Sequence, residues 1–409
     1  MRSFDPAISA SPGKEQDQIL YGKDPEIELS IVIPCLNEAD TVGVCIAKAH
    51  LSLEESNIAG EIIIADNGST DGSQSIASQM GARLIHVESK GYGNALMNGI
   101  AAARGKFIIM GDADDSYDFL EIPKFVEKLR TGFELVQGCR LPSGGGKVMP
   151  GAMPFLHRWW GNPMFSRMVR VMFWAPTKDV YCGMRGFTKE LYYRLDLRCT
   201  GMEFATEMII KSSIYQAKIT EVPITLYPDG RKTNASHLRT FRDGWRTLRF
   251  FLMYSPRWLF LYPGAFLVAL GLIGYSLALP GVTIRGVNFD AHTLLLSSLF
   301  IILGYQSVLF AFFAKTFAIR EGLLPQNNHM TKLLSSINLE KGLMAGIGTS
   351  IMGMVLLLAA VNQWREVDFG HLDYAKTMRW VIPGVMLTAL GYQTVLSTFI
   401  GSLLGMRRQ

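Results

Sequence analysis

Cysteine is scarce in this chain and comes in no useful pairing. Its five cysteines, Cys35, Cys45, Cys139, Cys182 and Cys199, are an odd number with no Cys-x-x-Cys pair. That excludes a zinc ribbon and a disulfide frame, and leaves reduced packing residues of a cytosolic domain. Charge is thin too: 18% of the 409 residues are charged against 49% apolar, a balance that argues against a purely soluble protein. A Walker lysine motif is missing, and Gly91-Tyr92-Gly93 is followed by Leu96 where a dinucleotide fingerprint needs a third glycine. P-loop and NAD-type readings therefore lose their main support. Internal repeats are absent, and residues 1–28 mix Pro, Gly, Ser and charge without an apolar stretch long enough for a signal peptide. They read as a disordered lead.

The apolar excess is concentrated in the last third. Residues 259–279, 293–314, 343–362 and 381–404 contain no Asp, Glu, Lys or Arg. Runs of roughly 20 residues, at about 1.5 Å per residue, cross a hydrocarbon layer about 30 Å thick, so residues 259–409 read as a four-helix transmembrane domain. Arg239, Arg242, Arg246, Arg249 and Arg257 crowd the approach to the first run, Lys315, Arg320, Lys332 and Lys341 lie between the second and third, and Arg407 and Arg408 end the chain. The positive-inside rule then places both termini and the preceding domain in the cytoplasm, on an inner or plasma membrane. The net charge of +5 is mostly juxtamembrane, which suits anionic headgroups and excludes a nucleic-acid partner.

From Leu29 onward, short β-branched runs alternate with helical stretches: Leu-Ser-Ile-Val-Ile, Glu-Ile-Ile-Ile-Ala, Arg-Leu-Ile-His-Val, Lys-Phe-Ile-Ile-Met and Phe-Glu-Leu-Val-Gln. The alternation predicts an α/β domain over residues 29–238 with a mostly parallel sheet covered on both faces. Ligands of such sheets sit at the carboxyl ends of the strands. Asn37 and Glu38 follow the first strand, Asp66 the second, Lys90 to Asn94 the third, Asp112 and Asp114 the fourth, and Arg140 the fifth.

The densest of these ends is Gly-Asp112-Ala-Asp114-Asp115-Ser-Tyr-Asp118. Carboxylates one residue apart at a strand end offer hard oxygens to Mg²⁺ or Mn²⁺, which fills its other positions from water and phosphate. A solvated acidic turn has the same composition. Asp66 opens Asp-Asn-Gly-Ser-Thr-Asp71, where it could accept hydrogen bonds from a base or simply shape a turn. Gly91 and Gly93 could bring backbone amides to a phosphate at a helix N-terminus. Between residues 150 and 174, His157, Arg158, Arg167 and Arg170 interleave with Trp159, Trp160, Phe165 and Trp174, a composition suited to the headgroup zone. A second such stretch, residues 239–258, leads into the first span. An ordinary core helix with snorkelling arginines is the alternative.

These residues resemble a family 2 glycosyltransferase of the GT-A fold, in its polyprenyl-phosphate branch, the dolichol-phosphate mannose synthase-like enzymes. The resemblance runs from about Leu29 to Arg239 through Ile-Val-Ile-Pro34-Cys-Leu-Asn37-Glu38, Asp66-Asn-Gly-Ser, Gly93-Asn-Ala, Asp112-Ala-Asp114, Gly138-Cys-Arg140, Asp179-Val-Tyr-Cys-Gly183-Met-Arg185-Gly-Phe and Glu221-Val-Pro-Ile. It implies that Pro34, Asn37, Glu38, Asp66 and Gly93 face the nucleotide of a UDP- or GDP-linked sugar. Asp112 and Asp114 would bind the Mg²⁺ or Mn²⁺ that grips the diphosphate. Arg140, Arg158, Arg231 and Lys232 would hold the phosphate of a polyprenyl acceptor, with Arg140 also counted among the catalytic residues. The chain departs from the family in carrying Ser116 where members often have Gln, Asp115 in place of an apolar residue, and Ser236-His237 where the closing loop commonly ends in Ser-Lys.

The implied reaction is inverting transfer of one sugar to a membrane polyprenyl phosphate, undecaprenyl or dolichyl. A processive polysaccharide synthase shares the sheet and the aspartates, but the Arg158-Trp159 and Arg257-Trp258 pairs lack the Gln of its acceptor motif. A non-catalytic membrane partner that only senses sugar nucleotides is a third reading. Assembly into a homo-oligomer is left open.

Overall fold

The computed structural model describes residues 27–231, 240–325 and 339–405. Its first part is built on a seven-stranded sheet in the order β3-β2-β1-β4-β7-β5-β8. The strands are β1 Leu29–Cys35, β2 Gly60–Asp66, β3 Arg83–His86, β4 Phe107–Met110, β5 Leu135–Cys139, β7 Arg185–Thr188 and β8 Ile219–Pro223, with a separate two-stranded pair of β6 Lys147–Val148 and β9 Thr225–Leu226. All neighbours in the large sheet are parallel except β7, which runs antiparallel to β4 and β5. The mostly parallel sheet anticipated from the sequence is therefore present, with two strands, β7 and β8, that the alternation did not reveal.

The parallel strands form because their sequences suit burial on both faces. Every residue of β4 is buried, and β1 is buried throughout except at Pro34. One face packs on α1 Val42–Glu55, α2 Ser73–Gln79 and α4 Ile122–Arg130. The other is covered by α3 Tyr92–Ala102, α5 Asn162–Phe173, α6 Lys189–Leu195, α7 Glu203–Ile214 and α8 Thr240–Tyr254. Phe251 of α8 is fully buried there, edge-on to Phe165 and Phe173 of α5. Burying one such ring contributes about 2–3 kcal/mol, so the juxtamembrane helix is fastened to the sheet domain by apolar contact.

The outer side of that layer is apolar as well. Trp159, Trp160 and Trp174 around α5, and Trp245 and Met253 on α8, are all more than half exposed. Four helices follow that are long and apolar enough to cross a membrane: residues Arg257–Ala278, Ala291–Arg320, Leu339–Glu366 and Tyr374–Leu404. They comprise α9 Tyr262–Ala278 with the π-turn Arg257–Leu261 before it, then α10 Ala291–Arg320, α11 Leu339–Glu366 and α12 Tyr374–Gly405. Each is longer than its uncharged run, because the helix continues into polar residues beyond the hydrocarbon. Association between them relies on close backbone approach, as expected where lipid removes the hydrophobic drive. A Cβ on Gly264 of α9 would lie 2.8 Å from the Gly304 carbonyl of α10, and one on Gly391 of α12 would lie 2.5 Å from the Gly346 carbonyl of α11.

Candidate active site

The carboxyl ends of β1, β2, β4 and β5 gather the polar groups that the sequence marks. At β4, Asp112 Oδ1 accepts a 2.8 Å hydrogen bond from the Tyr92 hydroxyl, and Asp114 Oδ1 accepts from the Ser116 amide and hydroxyl at 3.1 and 2.6 Å. Burial first, and then the charge of Asp114, push the Asp112 carboxyl up to about 6. Two carboxylates whose charges oppose each other in a half-buried site call for a positive counter-charge.

Arg231 supplies part of it. Its guanidinium forks onto Glu38 through Nε at 2.7 Å and Nη2 at 2.5 Å, reaches Asp229 at 2.8 Å, and stands 3.7 Å from Asp114 Oδ2. The segment carrying Arg231 is laid over the β4 acids by backbone bonds: the Tyr227 amide donates to the Ser116 carbonyl and the Gly230 amide to the Asp114 carbonyl. Glu38 is 8% exposed, so the acid expected at the nucleotide is at present covered by Arg231. Asp115 turns away in the left-handed region (φ 57°) and pairs with Lys48 of α1 at 2.7 Å. Lys232 lies outside the described residues.

The donor set fits a divalent cation. Among the described residues no donor reaches Asp112 Oδ2, and Asp114 Oδ2 has only the distant Arg231. A Cβ at Gly183 would come within 2.6 Å of Asp112 Oδ2, so the glycine keeps that oxygen's surroundings clear. No group of three or more His, Cys, Asp or Glu side chains converges on one point among the described residues. Two hard oxygens without a third side-chain ligand suit an ion that completes its shell from phosphate and water.

Other marked residues have structural employment. Asp66 is 1% exposed and its carboxylate accepts from the Gly68 and Ser69 amides and the Gln74 side chain. These bonds close the turn after β2 around the carboxylate expected at the base. Asn37, also left-handed (φ 58°), accepts from the Thr70 amide at 2.8 Å and so joins the β1 and β2 loops. Pro34 sits half-buried in β1 opposite Ala65. At Gly93 a Cβ would lie 2.3 Å from the Cys199 carbonyl, and the Asn94 amide donates to the Thr200 carbonyl, so the 199–201 loop packs on the start of α3.

Arg140, expected at the acceptor phosphate, is paired within the domain. It is 7% exposed and forms a two-pronged pair with Asp179, 2.8 Å at both Nε and Nη2, while Nη1 reaches the Tyr117 hydroxyl at 3.3 Å. Burial alone would disfavour its charge, but the Asp179 carboxylate reverses this and holds Arg140 firmly protonated. A guanidinium so engaged has no free fork for a lipid phosphate in this conformation. Glu221 of β8 in turn accepts from Thr177 and Asp179, fixing the loop that presents Asp179. Arg158 lies on the π-turn before α5, its guanidinium 5.4 Å from the Trp159 ring, and makes no bond to the acids or to Arg140. Tyr92, Tyr117 and Asp179 were not singled out as site residues, although each stands inside or beside a motif that was.

The arrangement invites comparison with known proteins. The low-salt glycan biosynthesis hexosyltransferase Agl6 of Haloferax volcanii is 34% identical over 394 residues, 95% of this chain and 92% of that protein. The family described as Glycosyl transferase family 2 matches residues 30–195, and Glycosyltransferase family 2 C-terminal transmembrane region matches 312–405. The chain is a family 2 glycosyltransferase. This glycosyltransferase is also 29% identical to the dolichyl-phosphate hexose transferase of Haloferax volcanii, over 53% of the chain and 89% of that protein. Among solved structures, glucosyl-3-phosphoglycerate synthase from Mycobacterium tuberculosis, crystallised with Mn²⁺, UDP and glucosyl-3-phosphoglycerate, is 22% identical. The match covers 55% of this chain and 77% of that one, with a TM-score of 0.42.

Proposed function

We propose that the enzyme transfers a single hexose from a nucleoside diphosphate sugar to a membrane polyprenyl phosphate. The observation that carries the reading is the open pair of oxygens on Asp112 and Asp114, bracketed by Arg231, in a domain fastened to four membrane-crossing helices. The names of the two Haloferax relatives, a hexosyltransferase and a dolichyl-phosphate hexose transferase, support the same donor and acceptor classes. The carrier nucleotide is UDP or GDP. Clusters of Arg and Lys at the start of the first span and the end of the second support a cytoplasmic catalytic domain.

In this reading the acceptor phosphate oxygen forms a bond to the anomeric carbon as the bond to the diphosphate breaks on the opposite face, inverting the configuration. A phosphate monoester is already largely anionic at pH 7, with a second pKa of about 6, so no strong base is required of the protein. Asp112 and Asp114 would hold Mg²⁺ or Mn²⁺, which supplies charge stabilisation for the departing diphosphate. Tyr92 and Ser116 keep the two carboxylates oriented. Arg231 releases Glu38 when donor enters and turns its charge to the diphosphate or the acceptor, so that a single mobile guanidinium serves both the empty and the loaded site.

The test is direct. Purified full-length protein with Mn²⁺ or Mg²⁺ is given undecaprenyl or dolichyl phosphate and a panel of nucleotide sugars, and the lipids are weighed by mass spectrometry. One added hexose per lipid is expected. Asp114→Ala should lower kcat/KM about 100-fold or more, the scale of several kcal/mol of lost charge stabilisation. A polymer on the lipid, or near-normal turnover by Asp114→Ala, sinks the proposal.

A further inference from the structure

A pocket of about 480 Å³ lies where α5 meets the first membrane helix, lined by Arg167, Arg170, Trp174, Arg257, Trp258 and Tyr262 together with two apolar neighbours. Three of its walls are guanidinium groups and none is a carboxylate. Among the described residues, Arg167, Arg170 and Arg257 enter no ion pair, whereas Arg246 of the adjoining α8 is matched by Glu203 at 3.0 Å. Like charges gathered without counter-ions repel one another, and the concentration is relieved only by an anion.

The surroundings say which kind of anion. The α5 C-terminus points its partial negative end at the pocket, and the Trp174 amide is already bonded to the Arg170 carbonyl. The protein therefore offers side-chain forks, not backbone amides, a donor set suited to phosphate oxygens. Trp174 is 84% exposed and is held in the left-handed region (φ 61°), while Trp258 and Tyr262 pack edge to face at 5.1 Å at the head of the span. Exposed aromatic rings beside cations at the start of a membrane helix mark the headgroup level.

We propose that this pocket binds the phosphate headgroup of an anionic membrane phospholipid, as a site separate from that of sugar transfer. None of its lining residues hydrogen-bonds to or pairs with Asp112, Asp114, Glu38, Arg140 or Arg231. The link to the catalytic end is indirect: Ser166, beside Arg167, accepts from the Val180 amide at 3.1 Å, next to the Asp179 that holds Arg140. A headgroup seated on α5 would brace the helix from which that loop is hung. The inference rests on the chain lying in a membrane and not on the identity of donor or acceptor.

Equilibrium binding of phosphatidylglycerol and of phosphatidylcholine to the full-length protein in mixed micelles tests it, with inorganic phosphate and undecaprenyl phosphate as competitors. Phosphatidylglycerol should bind and phosphatidylcholine should not. Arg167→Gln, Arg170→Gln and Arg257→Gln should each weaken binding roughly fivefold, the contribution of one surface cation near anionic lipid. The corresponding Arg→Lys variants should keep most of it, which separates lost charge from lost fold. Equal binding of the two lipids, or unchanged binding in the three Gln variants, overturns the proposal. So does full displacement by millimolar inorganic phosphate, which would mark a free-phosphate site. Displacement by stoichiometric undecaprenyl phosphate would overturn it as well, since the pocket would then belong to the acceptor.

Discussion

The Tyr254 hydroxyl donates a 2.8 Å hydrogen bond to Glu207, joining the juxtamembrane helix α8 to α7 deep inside the sheet domain. Glu207 is fully buried, and its second oxygen accepts from the Arg198 and Cys199 amides at 2.9 and 2.8 Å. Those amides begin the loop whose next carbonyl, that of Thr200, closes the start of α3. One carboxylate thus ties the membrane side to the strand-end loops. Tyr254→Phe removes a single donor and leaves Glu207 its other partners, so a loss of about 1–2 kcal/mol is expected. Thermal unfolding in detergent, followed by the circular dichroism of the full-length chain, reads it.

The same residue predicts a pH dependence. Burial by itself would raise the Glu207 carboxyl, but the hydrogen bonds from Lys211 (2.9 Å) and the Cys199 amide outweigh it and hold the group below its ordinary range. The unfolded chain, with a glutamate near about 4.3, binds the proton more readily than the folded one. Stabilisation by Glu207 is therefore complete above that value and is lost as the pH falls through the lower folded one. The midpoint of unfolding should drop on acidification below about pH 4.3, and drop less in Glu207→Gln, which starts from a lower midpoint at neutral pH. Parallel acid profiles for the two proteins would contradict the assignment.

Gly183 offers a probe of the metal-binding reading that touches no carboxylate. An added Cβ would fall 2.6 Å from Asp112 Oδ2, nearer than real Cβ contacts allow, and 3.2 Å from the Tyr117 ring, a tight contact. Gly183→Ala should displace the Asp112 side chain and cost about 10- to 100-fold in kcat/KM, the penalty for misplacing a reacting group by about 1 Å. Raising the Mn²⁺ concentration should recover part of the loss, because the defect lies in holding the ion. Titration of activity against Mn²⁺ for both proteins is the measurement.

The strands β1 to β5 were legible as short apolar, largely β-branched runs between helical stretches, and their polar ends were legible because the chain must turn there. Strand β7 was not: Arg185-Gly186-Phe187-Thr188 has no alternating period, and its place between β4 and β5 rests on pairings with residues far away in sequence. Within the site, Asp112 and Asp114 stood out by spacing. Spacing does not tell which acids also bond within the protein, and so the turn that Asp66 closes could not be read from it. Nor does spacing show the loop that packs on Gly93, about 105 residues further on. The membrane helices were the easiest part, since hydrocarbon imposes one length and one composition.

Arg140 and Asp179 make the last case, since their pairing could not be read across 39 residues of sequence. Both side chains are buried, at 9% and 0% exposure, so each charge depends on the other. Removing one partner should cost about 3–5 kcal/mol, because the survivor is left charged and desolvated, whereas exchanging both for apolar groups of like volume should be close to neutral. Asp179→Asn and Arg140→Met are therefore expected to unfold at markedly lower temperature than the parent. The double variant Arg140→Met with Asp179→Leu should regain most of that stability. Transfer activity separates a structural role from a functional one: if the pair only holds the loop between α5 and β7, the double variant regains turnover along with its fold. If the Arg140 fork leaves Asp179 to meet the acceptor phosphate during the reaction, stability returns and activity does not.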